Sequence, residues 1–215
     1  MLTYDKLEVF NMSAALRGMR NPLDSWHKRD TRRYAADAIE IGPNDMGLAK
    51  RLINAGPEHR KFLRQIFISV DITAPLYWWK EFDTYKIGTS ANSCSTMHKI
   101  TSRPFTKDQF SFDRVDNNAL DNMDFTTDQI INTLEGLRQA YLLETDQDVK
   151  RALWDTIIQL LPSSYNQMRT VTMTYENALN MYNQRKNHKL PEWRVDFMKL
   201  IDDLPYANEL IKGDE

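Results

Sequence analysis

Cys94 has the widest chemical reach of any residue in this chain, and it is the only cysteine. It lies in a polar run, TYKIGTSANSCSTM at 84–97. A thiol there can attack an electrophilic carbon. Against that stands the plainer reading of an inert thiol, because the sequence places no base beside it. The four histidines, His27, His59, His98 and His188, sit far apart with no HExxH or paired spacing, which argues against a metal site. None of the seven glycines builds a GxGxxG turn or a P-loop, and no GxSxG elbow is present. One dense group of charge remains: His27, Lys28, Arg29, Arg32 and Arg33. Three arginines within five residues can fork onto a phosphate. A solvated loop or helix face is the simpler expectation for them.

The bulk numbers limit what these groups can serve. With 28 basic and 30 acidic side chains the net charge is −2, so no broad field for nucleic acid or anionic membrane is expected. A single cysteine forms no internal disulfide, the chain opens without an apolar signal region, and no apolar run reaches the roughly 20 residues that span a bilayer. A reducing cytoplasm is the expected setting. The 215 residues suffice for one large domain over 1–215, with 41% hydrophobic residues and 27% charged.

Elements must hold the chemistry in place. Alternation predicts strands at 6–12, 65–72 and 168–174. Helices are expected from Ser13 to Met19, after a cap at Asn44 or Asp45, at 76–86, at 126–144, at 148–161, at 175–187 and at 191–204. Trp78, Trp79 and Phe82 fall at helical spacing and read as core or interface. Residues 88–122 are polar and irregular apart from an extended piece near 110–112, and a loop of that length is usually functional or mobile. The order of strands and helices reads as α+β, with a central mixed or antiparallel sheet flanked by helices.

Two blocks carry a resemblance. Val70–Pro75 reads VDITAP and is followed by LYWWKEF at 76–82, then by the run at 84–97. This order resembles the flavin-dependent thymidylate synthase family, in which a strand ending in Ala-Pro and an aromatic helix precede the motif RHRxxSxNExSxRY. Lys80 and Glu81 stand where the family often has Arg-Gln. At fixed spacing Tyr85 takes the histidine position, Lys86 the second arginine, Thr89 a serine and Cys94 the later serine. With one inserted residue Asn92 matches the asparagine and Ser95 that serine, and both registers stay open. The second block is similar in its Leu161-Pro162, its strand and its Gln184-Arg185. There Thr174, Tyr175 and Glu176 replace Asn-Ala-Arg, and Gln65 falls where the family has a histidine near its flavin.

The resemblance implies FAD as cofactor, a pyrimidine nucleotide as substrate, and a homotetramer with active sites between subunits. It implies Cys94 as the catalytic residue, with Gln65, Tyr85, Lys86, Asn92 and Arg185 toward the cofactor. Lys80, Glu81, Ser95 and Glu176 would face substrate. Two functions follow as expectations: divergent flavin-linked chemistry on a pyrimidine nucleotide, or a catalytically inactive nucleotide-binding or regulatory protein on the same scaffold.

Overall fold

The computed structural model describes residues 1–34, 38–116, 118–119 and 126–213. In chain order these form β1 (Thr3–Phe10), α1 (Met12–Gly18), β2 (Arg32–Arg33), β3 (Ile39–Glu40) and α2 (Pro43–Asn54). Next come β4 (Phe67–Pro75), α3 (Leu76–Phe82), β5 (Ser90–Ser93), α4 (Thr96–Lys99), α5 (Thr127–Leu143) and α6 (Gln147–Leu160). The chain then runs through β6 (Asn166–Thr174), α7 (Tyr175–Arg185) and α8 (Met198–Asp202). Four strands share a sheet in the order β1-β4-β6-β5, and β2 pairs antiparallel with β3. The fold is α+β, as the order of elements predicts. At the ends of β4 and β6, Tyr175 N–H donates to Ile66 O and Leu76 N–H to Tyr165 O, both at 3.0 Å. These bonds fix the two strands as antiparallel neighbours in one register.

The residues fall into two compact units interleaved along the chain. One comprises Leu2–Ile72, Thr84–Asn92 and Thr170–Glu215. In it β4 buries Ile68, Val70 and Ile72 on one face, as period-two alternation requires. Helix α7 begins with a reciprocal Thr174–Asn177 capping box and buries Tyr175, Ala178, Leu179, Met181 and Tyr182. Helix α2 starts at Gly42 and Pro43, ahead of the expected cap at Asn44 or Asp45. Its first amides are held from a distance, Asn44 N–H and Asp45 N–H donating to the Asp30 carboxylate at 2.7 and 2.9 Å. A Cβ on Gly42 would lie 2.3 Å from Asp30 Cγ, so only glycine admits this cap. Asp45 instead turns inward, fully buried, to accept from Arg20 Nε at 2.5 Å and Thr31 N–H at 2.9 Å. Burial alone would raise its carboxyl, but the hydrogen bonds from Thr31 and Arg20 outweigh that and hold it below the usual carboxylate range.

The other unit comprises Met1, Thr73–Asp83 and Ser93–Arg169. Trp78, Trp79 and Phe82 of α3 are buried, with ring centroids 4.8 to 5.3 Å apart, so the core reading of this aromatic cluster holds. A second cluster packs Ile100, Phe105 and Phe110 against Ile131 and Leu134 of α5 and Ile157 of α6. Helix α5 buries Ile131, Leu134 and Arg138, and its Ile130 and Leu137 are partly buried against the same cluster. The Arg138 guanidinium bonds Glu135 one turn away, so a charged residue lies on the buried face without an unpaired charge.

Several boundaries depart from expectation for local reasons. The first strand is Thr3–Phe10, and Asn11 in the left-handed region (φ 68°) turns the chain so that Met12 already begins α1. Helix α3 stops at Phe82, short of residue 86. The stretch expected to be irregular holds β5 and α4, with residues 117 and 120–122 outside the described set. β5 is exposed along its length, so it shows no buried stripe to announce it. The extended piece near 110–112 is a single bridge, Phe110 to Tyr165, with Phe112 stacked on Phe110 at 5.2 Å. A π-helical turn, Glu192–Phe197, replaces the start of the last expected helix.

Candidate functional site

The first half of β6 and the residues leaving β5 build a cavity of about 350 Å3. Alternation along β6 sends Gln167 and Arg169 to one face. Gln167 is 8% exposed and is held on three sides: its Nε2 donates to Cys94 O at 2.9 Å, and its Oε1 accepts from Arg169 Nε at 3.0 Å. Its carbonyl accepts from Trp79 Nε1 at 2.9 Å. Arg169 is fixed in turn by Asp83 at 2.7 Å and by the Trp79 ring, whose centroid lies 4.2 Å from the guanidinium carbon. Cys94 N–H closes the arrangement on Met168 O at 2.9 Å. A run of charged and amide groups thus locks the backbone of Cys94 in place.

The next residues are set by α4. Ser95 caps it, accepting from His98 N–H at 3.2 Å, and the turn places Lys99 on the cavity wall with Arg103 beyond it. Lys99 and Arg103 supply positive charge, Asp108 the only carboxylate among the described lining residues, and Tyr165 a phenol. Tyr165 is pushed above the ordinary tyrosine value by burial first and by the neighbouring Cys94 second, with Arg103 pulling the other way. Its hydroxyl therefore stays protonated at neutral pH as a hydrogen-bond donor. Two cations, one phenol and hydroxyls from Ser95 and Thr96 suit a ligand that carries an anion and a polar ring. No histidine lines the cavity among the described residues, so Cys94 has no imidazole base there.

The remaining anticipated residues lie elsewhere. Tyr85 donates to Gln184 Oε1 and accepts from Arg185 Nε, each at 2.8 Å. The Arg185 guanidinium also sits 5.1 Å from the Trp193 ring. Glu176, 12% exposed, is gripped by Arg60 at 3.2 Å and by Arg64. Burial works to raise the Glu176 carboxyl, and the hydrogen bonds from Arg64 and Arg60 lower it overall. Asn177 Nδ2 donates to Ile87 O at 2.7 Å, and Gly88 (φ 79°) has no room for a side chain, since a Cβ would lie 2.7 Å from Asn177 Oδ1. Gln65 ends a 3-10 turn with its side chain exposed, and Lys80, Lys86 and Asn92 are exposed. Glu81 is half-buried on α3. Of the anticipated set, then, the structure brings Cys94 and Ser95 into one cavity and puts Tyr85 against Arg185. Lys99, Arg103, Tyr165, Gln167 and Arg169 complete the cavity without having been anticipated. The strand expected at 168–174 contains Arg169 but not Gln167, and only its observed start at Asn166 sets the two residues on a shared face.

No helix among the described residues is long and apolar enough to cross a membrane, and no group of three or more His, Cys, Asp or Glu among them is arranged to hold a metal. No family model and no curated protein sequence matches the chain. Solved structures do. The fold is similar to thymidylate synthase X from Helicobacter pylori, solved with FAD and dUMP, at a TM-score of 0.67 and 18% identity over 99% of this chain and 98% of that one. A second structure, the flavin-dependent thymidylate synthase of Helicobacter pylori complexed with FAD and dUMP, gives a TM-score of 0.65 and 18% identity over 97% and 98%. The chain therefore has the fold of a flavin-dependent thymidylate synthase along nearly its whole length.

Proposed function

We propose that the chain binds a pyrimidine nucleotide or a close chemical relative in the Cys94–Tyr165 cavity, on a scaffold that has given up the flavin. The observation that carries this reading is the cavity itself. Lys99 and Arg103 are available to a phosphate, Tyr165 to a ring, and the wall is fixed by the chain from Asp83 through Arg169 and Gln167 to Cys94. The H. pylori structures of the same fold hold dUMP and FAD, which supports a nucleotide as the ligand class.

The flavin half of the resemblance fits less well. Gln65 stands in for the histidine near the flavin, and Arg185 is engaged with Tyr85. A charge-assisted hydrogen bond to a ligand is worth about 1.5–3 kcal/mol, so the absence of two or three weakens the hold on an anion by orders of magnitude. The residues present do not fit a flavin dinucleotide. A homotetramer remains part of the proposal, from the resemblance.

Calorimetric titration separates the readings. Wild-type protein is expected to bind dUMP and not FAD, and Arg103→Ala to lose about tenfold in dUMP affinity. A purified protein that is yellow, with a flavin absorbance spectrum, would overturn the flavin-free reading. A colourless protein that binds no pyrimidine nucleotide would overturn both. Cys94 at the cavity wall favours one second reading, in which its thiol loses its proton to solvent and adds to the bound ring, the ring C=C π bond opening and the adjacent carbon taking a proton from water.

A further inference from the structure

We propose that Arg17, Arg29 and Arg33 form a second anion site, built for a small organic phosphate and distinct from the Cys94–Tyr165 cavity. The three line one concavity of about 390 Å3. Its walls are the end of β1 and the start of α1 (Val9, Phe10 and Met12), with Ile39 of β3 opposite. Among the described residues no carboxylate lines it. A chain of net charge −2 does not gather guanidinium groups into one hollow by general excess. Arg29 is held in position by its own hydrogen bond, Nη2 donating to Ser13 Oγ at 3.0 Å, which leaves its other N–H groups to direct elsewhere.

The basic cluster at 27–33 divides in the fold, and strand geometry explains the division. In the β2–β3 pair Arg33 lies opposite Ile39 and Arg32 opposite Glu40. Successive strand residues face opposite ways, so Arg33 and Ile39 share the face that lines the hollow. Arg32 is on the other face, hydrogen-bonded to Tyr34 and within the field of Glu40. Arg32 therefore faces away from the hollow, and Arg33 lines it together with Arg17 and Arg29.

The shape of the hollow selects the ligand class. Guanidinium forks match phosphate oxygens, and the planar fork is set in advance of binding. Beside them lies an apolar wall in which Phe10 is 49% exposed, a surface on which a flat organic body can rest. A polyanion such as nucleic acid would need a stripe of charge along a surface, whereas this is one concave spot.

Isothermal titration of the full chain with phenyl phosphate and with inorganic phosphate tests the assignment. Wild-type protein should bind phenyl phosphate saturably and more tightly than inorganic phosphate. Arg17→Ala, Arg29→Ala and Arg33→Ala should each weaken phenyl phosphate by about tenfold or more, the worth of one charge-assisted hydrogen bond. Arg32→Ala should stay within about twofold of wild type. Arg29→Lys, which keeps the charge and removes the fork, should fall between wild type and Arg29→Ala, so the series reads even where an alanine variant folds poorly. Four results would overturn the proposal: no saturable binding by wild type, equal affinity for the two phosphates, a weakening in Arg32→Ala equal to that in Arg33→Ala, or a weakening confined to Arg103→Ala. The last would assign phenyl phosphate to the Cys94–Tyr165 cavity.

Discussion

Two regions of this molecule gather charged side chains around residues that the resemblance marks as functional, and they use them in opposite ways. Around Cys94 the fixed charges, Asp83 and Arg169, sit behind the wall and leave Lys99 and Arg103 on its surface. Around Glu176 and Arg185 the charges close on one another: Glu176 with Arg60 and Arg64, Arg185 with Tyr85. A cation recruits a ligand when its neighbours position it without neutralising it. When a carboxylate or phenol already fills its fork, the same cation becomes part of the fold. The difference lies in what stands next to the arginine, which a motif match does not record.

The strongest break of this comparison is Glu176→Gln. Removing one partner of a largely buried ion pair leaves the others uncompensated, and with Arg64 49% exposed the cost falls below the roughly 3–5 kcal/mol of a fully buried pair. A destabilisation of about 2 kcal/mol by urea unfolding is expected, with dUMP affinity unchanged. Lower affinity at unchanged stability would make Glu176 a ligand-binding residue and erase the contrast between the two regions.

A pH series sharpens the cavity side. Glu135 accepts from Arg138 at 2.7 and 2.8 Å and from Phe105 N–H at 2.9 Å, and so holds the segment that carries Arg103. The Arg138 hydrogen bond is the main reason its carboxyl falls from 4.5 to about 2, with the Phe105 amide assisting and burial opposing. A lowered folded value means that the stabilisation is complete above the unfolded value. It is lost as pH falls from about 4.5 toward about 2. With the Glu135 side chain 20% exposed, the contribution is on the order of 2 kcal/mol after screening. Urea unfolding should show Glu135→Gln less stable than wild type at neutral pH, with the gap shrinking through that acid window. A gap independent of pH would detach Glu135 from the effect.

Much of the fold was legible because it is written locally. The buried alternation of Ile68, Val70 and Ile72, the Thr126–Gln129 cap of α5 and the aromatic spacing of α3 join near neighbours in sequence. The strand β5 was not legible, because an exposed strand leaves no apolar stripe. The candidate site was half legible for the same reason. Cys94 and Ser95 stand out by type and position, but Gln167 meets Cys94 across 73 residues and Arg64 meets Glu176 across 112. No periodicity encodes such pairs. The two faces of the β2–β3 pair were hidden in another way: two adjacent arginines look alike in sequence, and only their partners, Ile39 and Glu40, tell them apart.

The smallest expected effect belongs to the residue of greatest chemical reach. Cys94 enters the cavity wall through its backbone, its N–H on Met168 O and its carbonyl taking the Gln167 amide, both at 2.9 Å, while its side chain is exposed. Serine keeps both backbone bonds and nearly the same volume, so Cys94→Ser should shift stability by less than about 0.5 kcal/mol and leave dUMP affinity within about twofold. Mass spectrometry of wild-type protein after incubation with dUMP should then show no covalent adduct, because no histidine among the described residues lines the wall to take the thiol proton. An adduct present in wild type and absent in Cys94→Ser would reverse that conclusion. The thiol would then be the reactive group, and the fixed backbone at 94 the means of aiming it.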